Sequence, residues 1–420
     1  VVVADGAVAD VGSPDEVAAR RPGLPVEDLG DVVLLPGFVD THAHLEWSLA
    51  GGLAPGDEGF GRWLGALLER IGALPPGHHA AAARLGALRS LQAGTTTVAD
   101  SGPTGAAAGA LTALGLRGIV HLEVFGAAPG DVPARMAALA TRLAAAEDAA
   151  GSRVSVGVSP HAPYSAGPAL WDALARADDV ARRPWATHLA ESPDEERVLE
   201  RGDGPIADAL AGLGVPPARW PAPPGTSPVA RLAAHGALRP GLVVAHAVRL
   251  GTADPGLLAA AGVGVAHCPR SNVHLRCGRM PLAALRAAGV PLGLGTDSPA
   301  SGGGHDLRAE ARACALVQGA DGGETPSPRL LVELLTSGGA DVLGRADLGR
   351  LVPGARADLV AVRPPPEALP GDPHAAVLDR RAAVVHVWVD GAPVLRDGRP
   401  AALDPDEVET AAAEARRALC

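Results

Sequence analysis

The chain has 420 residues, 47% of them hydrophobic but only 2% aromatic, so a large core is available and Ala, Val and Leu must fill it. A formal net charge of -11 argues against nucleic acid as a partner, because that binding is driven by neutralising phosphates. No lysine occurs, which excludes Schiff-base catalysis, a P-loop lysine and a carbamylated lysine bridging two metals.

Residues 1–35 open on the strand-and-turn run Val1–Gly6 and close on Asp31–Leu35. Similar material returns in Ala357–Val362 and Ala383–Gly391, with turns between. This predicts a small composite β-sandwich domain built from residues 1–35 and 345–402, followed by a C-terminal helix over 403–420. Between these ends, over residues 36–344, short apolar runs alternate with Ala/Leu/Arg-rich helical stretches. The runs are Gly37–His42, Thr96–Asp100, Gly118–Val124, Val154–Ser159, Ala186–Leu189, Val243–His246, Val263–His267 and Leu292–Asp297. The helical stretches include Gly59–Ile71, Ala80–Leu91, Pro133–Ala149, Asp194–Leu213, Pro281–Ala288 and His305–Val317. Eight strands with intervening helices predict an α/β fold, a distorted (β/α)8 TIM barrel. A doubly wound sheet is the alternative, but no G-x-G-x-x-G follows the first strand. The Pro/Gly-rich stretch Val215–Pro228 reads as a loop or lid.

Cys268, Cys277, Cys314 and Cys420 are sparse and lack C-x-x-C spacing, so neither a disulfide framework nor a zinc ribbon is expected. The start shows no signal pattern, and no apolar run reaches membrane-spanning length. A soluble cytoplasmic protein with no membrane partner is expected.

In barrels of this kind, catalytic groups sit at the C-terminal ends of the strands. His42 and His44 leave the first strand on one face, since side chains two apart point the same way, and both could grip one ion. A buried, hydrogen-bonded histidine pair is the alternative. His161 follows the fourth strand, while His188, His246, His267 and Asp297 end the fifth to the eighth. Convergent imidazoles and one carboxylate suit a divalent metal, zinc or alternatively ferrous iron. Glu191, three residues past His188, stands where a general base could face a metal without binding it.

Six ordered stretches resemble the amidohydrolase superfamily, and its mononuclear aminohydrolase branch (cytosine deaminase and chlorohydrolase types) most. They are Pro36–His44, Ser159–Ser165, His188–Glu191, Ala245–His246, His267–Asn272 and Gly293–Ser298. The resemblance covers nearly the whole chain. It implies metal ligation by His42, His44, His188 and Asp297, with Glu191, His246 and Asp297 handling protons and polarisation. It also implies a small-molecule substrate and a homo-oligomer. Val273-His274, where relatives often carry a lysine, and the glycine-rich Gly302–Asp306 depart from the pattern and concern substrate contacts. The cytidine-type zinc signature is missing, because Pro269 follows Cys268.

For the substrate, the resemblance places Glu46, Trp47 and Trp63 at the pocket wall, with His161, Tyr164, Arg270, Ser271, Asn272 and Ser298 at the rim. A stacked ring suits a planar purine, and an arginine suits a carboxylate-bearing substituent. His44–Ser48 resembles the deaminases of 6-amino-6-deoxyfutalosine in the alternative menaquinone pathway. The expected activity is therefore hydrolytic deamination of a 6-aminopurine nucleoside. Deamination or dechlorination of a smaller heterocycle (cytosine, guanine, triazine) and a non-catalytic barrel scaffold are the alternatives.

Overall fold

A computed structural model describes residues 1–71, 74–75 and 77–417; Cys420 and the last residues of the expected C-terminal helix lie outside them. Eight parallel strands pair in chain order: Phe38–Ala43, Thr95–Gly102, Arg117–Val124, Val154–Pro160, Trp185–Leu189, Leu242–His246, Gly264–His267 and Leu292–Leu294. The first strand is buried at all six positions, as expected where helices cover a parallel sheet. The first and eighth strands meet through a parallel bridge between Ala43 and Asp297, which nearly closes the sheet into a barrel. Its core is chiefly Ala, Val and Leu, with Phe38, Trp185 and Trp220 among the largest fully buried side chains.

The helices differ from expectation where glycine and proline punctuate the chain. Asp194–Leu213 is two helices, Pro193–Arg201 and Pro205–Gly212, because Gly202 ends the first in a left-handed conformation (φ 75°) and Pro205 opens the second. Residues 11–32 contain an unexpected helix, Pro14–Arg20. Ser13 accepts from the Glu16 N–H while the Glu16 side chain reaches back to Ser13, a capping box readable in Ser-x-x-Glu.

A separate antiparallel sheet has the order Arg399–Pro400, Ala392–Arg396, Ala383–Val389, Leu359–Arg363, Val33–Pro36. Val33 lies opposite Val362 and Pro36 opposite Leu359, so the two ends of the chain share one sheet. The first hairpin, Val2–Ala4 with Ala7–Asp10, forms a two-stranded sheet of its own around Asp5-Gly6, both with positive φ. Among the described residues no helix is long and apolar enough to cross a membrane.

The antiparallel sheet is fastened to the barrel by buried charge. Arg117, at the start of the third barrel strand, donates bidentately to Asp358 (2.9 and 3.2 Å) and to Asp390 (2.7 Å). Removing the arginine strands the Asp358 carboxylate in a poorly solvated place, while Asp390 keeps Arg153 and Arg356, and stranding one partner of a buried pair typically costs about 3–5 kcal/mol. Arg117→Ala should therefore lower unfolding stability by roughly that amount in a denaturant titration. A loss below about 1 kcal/mol would show that the pair does not join the two sheets.

Candidate active site

The barrel seam brings three site residues together. Asp297 N donates to the His42 carbonyl (2.9 Å) and His44 N to the Asp297 carbonyl (2.8 Å). Asp297 adopts φ 56°, a conformation rare for residues with a Cβ, and Asp40 braces the turn. Its carboxylate accepts from Thr296 N (3.1 Å), Thr296 Oγ1 (2.6 Å) and His42 N (3.3 Å). Further round the barrel, His188 ends the fifth strand and Glu191 lies in the turn after it. Ala190 has φ 55° there, and the Glu195 carboxylate accepts from both Ala190 N (3.0 Å) and Glu191 N (2.7 Å). His246 ends the sixth strand, also at positive φ (77°). Such backbone strain persists where surrounding contacts enforce it, and it marks functional turns.

The donor atoms of this cluster fit a metal ion. His44 Nδ1 donates to the Ser101 carbonyl (2.6 Å) and His188 Nδ1 to the His161 carbonyl (2.8 Å), so the protons sit on Nδ1 and both Nε2 atoms are bare. Those two nitrogens face each other at 3.1 Å. Asp297 Oδ1 lies 3.5 Å from His44 Nε2 and 3.7 Å from His42 Nε2, which is itself buried without a hydrogen-bond partner. Lone pairs at such separations repel unless a cation stands among them. Burial favours the neutral rings that a metal requires, holding His44 and His188 down to about 4, and it also lowers His42. Burial alone would raise Asp297, but the facing rings of His42, His44 and His246 hold its carboxyl well below the usual range. An N/O donor set of this kind, free of thiolate, suits zinc or ferrous iron.

Beside it, Glu191 Oε1 lies 3.5 Å from His246 Nε2. Burial pushes the Glu191 carboxyl well above its ordinary value, with Asp297 and Glu195 adding to the rise. Asn272 Nδ2 stands 3.1 Å from His246 Nδ1. With the amide donating, the His246 proton resides on Nε2 and points toward Glu191.

These groups open into a cavity of about 620 Å3. Its polar part includes His44, His161, His188, Glu191, His246 and Asp297, and its apolar part is formed largely by Phe60, Trp63, Leu64 and Leu67 with Leu210 and Leu213. Trp47, Tyr164 and Ser298 line it too. Four of the expected substrate contacts, Glu46, Arg270, Ser271 and Asn272, do not. Glu46 is fully buried, accepting from Thr104 N, Thr104 Oγ1, Gly105 N and Ala106 N at the start of helix Ala107–Ala113. Arg270 is spent on Glu310 and on the Gly304 carbonyl. Asn272 sits behind His246, and His267 is likewise absent from the cavity lining. Sequence reasoning missed Glu123, near the end of the third strand, which does line the cavity. Burial and the nearby Glu46 push its carboxyl up to about 8. Glu123 standing two residues after His121, on the same face of the strand, was the available signal.

Comparison with known proteins agrees with this fold. Residues 33–394 match the Amidohydrolase family. The 5-methylthioadenosine/S-adenosylhomocysteine deaminase of Pelotomaculum thermopropionicum is 32% identical over 371 residues, covering 86% of this chain and 79% of the relative. The 8-oxoguanine deaminase of Pseudomonas aeruginosa is 30% identical over 432 residues, covering 93% and 90%. Among solved structures, a zinc-bound adenosine deaminase from Xanthomonas campestris is 26% identical, with a TM-score of 0.82 over 99% of this chain and 92% of its own. The chain belongs to the amidohydrolase family.

Proposed function

We propose that this protein hydrolytically deaminates a 6-aminopurine nucleoside, with 6-amino-6-deoxyfutalosine as its substrate. It is a hydrolase acting on C–N bonds, and its deaminase relatives act on amino-heterocycles. One observation carries the finer reading: the His/Asp cluster and the Glu191–His246 pair open into a single cavity with aromatic and aliphatic walls. Its volume, about 620 Å3, lies within the range of about 300–1,000 Å3 that buries a drug-sized ligand. The His44–Ser48 stretch supports the futalosine derivative in particular.

His42, His44, His188 and Asp297 would hold one divalent cation, zinc or ferrous iron. When bound, it supplies Lewis acidity that draws the pKa of water from about 15.7 toward about 7. The remaining work belongs to the chain. Glu191 takes a proton from the attacking water and delivers it to the ring nitrogen beside the amino-bearing carbon. Burial keeps this carboxyl basic enough for the exchange. His246, with Nε2–H held in place by Asn272, donates to the oxygen as it bonds to that carbon. Asp297, whose Oδ2 accepts from Ser301 (2.7 Å), passes the second proton to the departing ammonia. Water and the amino-substituted ring carbon thus become the oxo product and ammonia.

Glu191→Gln keeps the shape of the side chain and removes its basicity. Metal content should stay at the wild-type level while kcat falls about 10²- to 10⁴-fold. Near-normal turnover would remove Glu191 from this role. Ammonia release should be scored across adenosine, 5-methylthioadenosine, 6-amino-6-deoxyfutalosine, cytosine, guanine and 8-oxoguanine, with chloride release from a chlorotriazine. The highest kcat/KM is expected for the futalosine derivative. Activity confined to free bases or to the triazine would overturn the nucleoside reading.

A further inference from the structure

Two consecutive peptides after the fifth barrel strand are held from both sides. The ladder between the fifth and sixth strands ends where Leu189 pairs with His246. Beyond it, the Leu189 carbonyl accepts from Ala247 N (3.1 Å), and the Ala190 carbonyl accepts from Val248 N (2.8 Å) and Arg249 N (2.7 Å). The N–H groups of the same two peptides, Ala190 N and Glu191 N, point the other way and are taken by the Glu195 carboxylate at 3.0 and 2.7 Å. Glu191 follows directly on the clamped peptides and His246 immediately precedes the residues that clamp them, and the two side chains stand 3.5 Å apart. Ala190, His246 and Ala247 all have positive φ (55°, 77° and 47°), a conformation that residues with a Cβ keep only under external contacts.

Glu195 does not behave as an ordinary helix cap. At the third position of helix Pro193–Arg201, a glutamate commonly reaches back to the N–H of the capping residue, here Ser192. Its two oxygens reach past Ser192 to Ala190 and Glu191 instead, while Ser192 Oγ accepts from Glu195 N (3.2 Å). The side chain is 1% exposed, stands outside the cavity lining, and among the described residues pairs with no basic group. A buried carboxylate without a cation is unfavourable unless its acceptors are used, and here they are used on the backbone that carries the proposed base. A charged acceptor on an N–H also polarises the carbonyl of the same peptide, so the Glu195 bonds strengthen those that Leu189 and Ala190 accept from the turn after His246.

We infer that Glu195 is a positioning residue for both members of the Glu191–His246 pair, aligning the proton acceptor and the proton donor through the two peptides it clamps. This rests on the roles assigned to Glu191 and His246 above. The test places Glu195→Gln, which keeps the volume but offers one acceptor oxygen in place of two, in the wild type and in the Glu191→Gln and His246→Gln variants, with the panel substrate turned over fastest. In the wild type, kcat should fall about 10- to 100-fold, with KM within about threefold and metal at the wild-type level. In either variant background the same substitution should cost less, because part of what it misplaces is already gone. Glu195→Asp, which keeps the charge but shortens the reach, should show the same pattern with smaller losses. Ser192→Ala, which removes only the helix cap, should leave kcat within about twofold. An equal loss in all three backgrounds, a full loss retained beside His246→Gln, loss of metal, a Ser192→Ala effect as large as that of Glu195→Gln, or an unchanged kcat would overturn the inference and leave the deaminase reading standing. Near-normal turnover by Glu191→Gln alone would overturn the assigned roles themselves.

Discussion

The closure between the first and eighth barrel strands is the constraint on which the site depends. The eighth strand has only three residues, Leu292–Leu294, too few to complete the ladder at the C-terminal rim. Closure there passes to the Asp297 and His44 backbone bonds, reinforced by Thr41 Oγ1 donating to the Leu294 carbonyl (2.8 Å). The contacts that shut the barrel are thus the ones that place His42, His44 and Asp297 within reach of one ion. Strain at Asp297 is tolerated because Asp40 ties Thr296 to His42 from below. Fold stability and the geometry of the His/Asp cluster are not separable at this seam.

The electrostatics follow from burial. Neutral imidazoles and one carboxylate, all with little access to water, form a site that is unfavourable alone and favourable around a cation. Carbonyl oxygens of Ser101 and His161 fix which nitrogen of His44 and His188 is bare. The same logic runs one layer out, where Asn272 fixes His246 and Glu195 fixes the turn that carries Glu191.

Much of this was legible in the chain. The barrel strands are largely apolar runs and the stretches between them are Ala/Leu/Arg-rich, so strand order and the His/Asp set could be read in sequence order. Side-chain direction past the strand ends could not. Glu46 follows His44 by two residues, and strand periodicity would place it beside the cavity. A short 3-10 turn over Leu45–Trp47 swings it onto the backbone of Thr104–Ala106 instead. Arg270 and Asn272 sit on the helix Pro269–His274, where neighbours point about 100° apart, and tertiary partners decide which of them faces the ligand. Glu123 was hidden because candidate groups were sought at the strand ends, and the run Gly118–Val124 ends on an apolar residue. The period-2 rule places it on the same face as His121, inside the barrel.

X-ray absorption at the metal edge, with metal quantified per chain, addresses the seam most directly. One zinc or iron ion per chain, surrounded only by nitrogen and oxygen at about 2.0–2.2 Å, is the expected result. Substoichiometric metal, or a sulfur scatterer near about 2.3 Å, would contradict it and move the site from His42, His44, His188 and Asp297 to the buried cysteines.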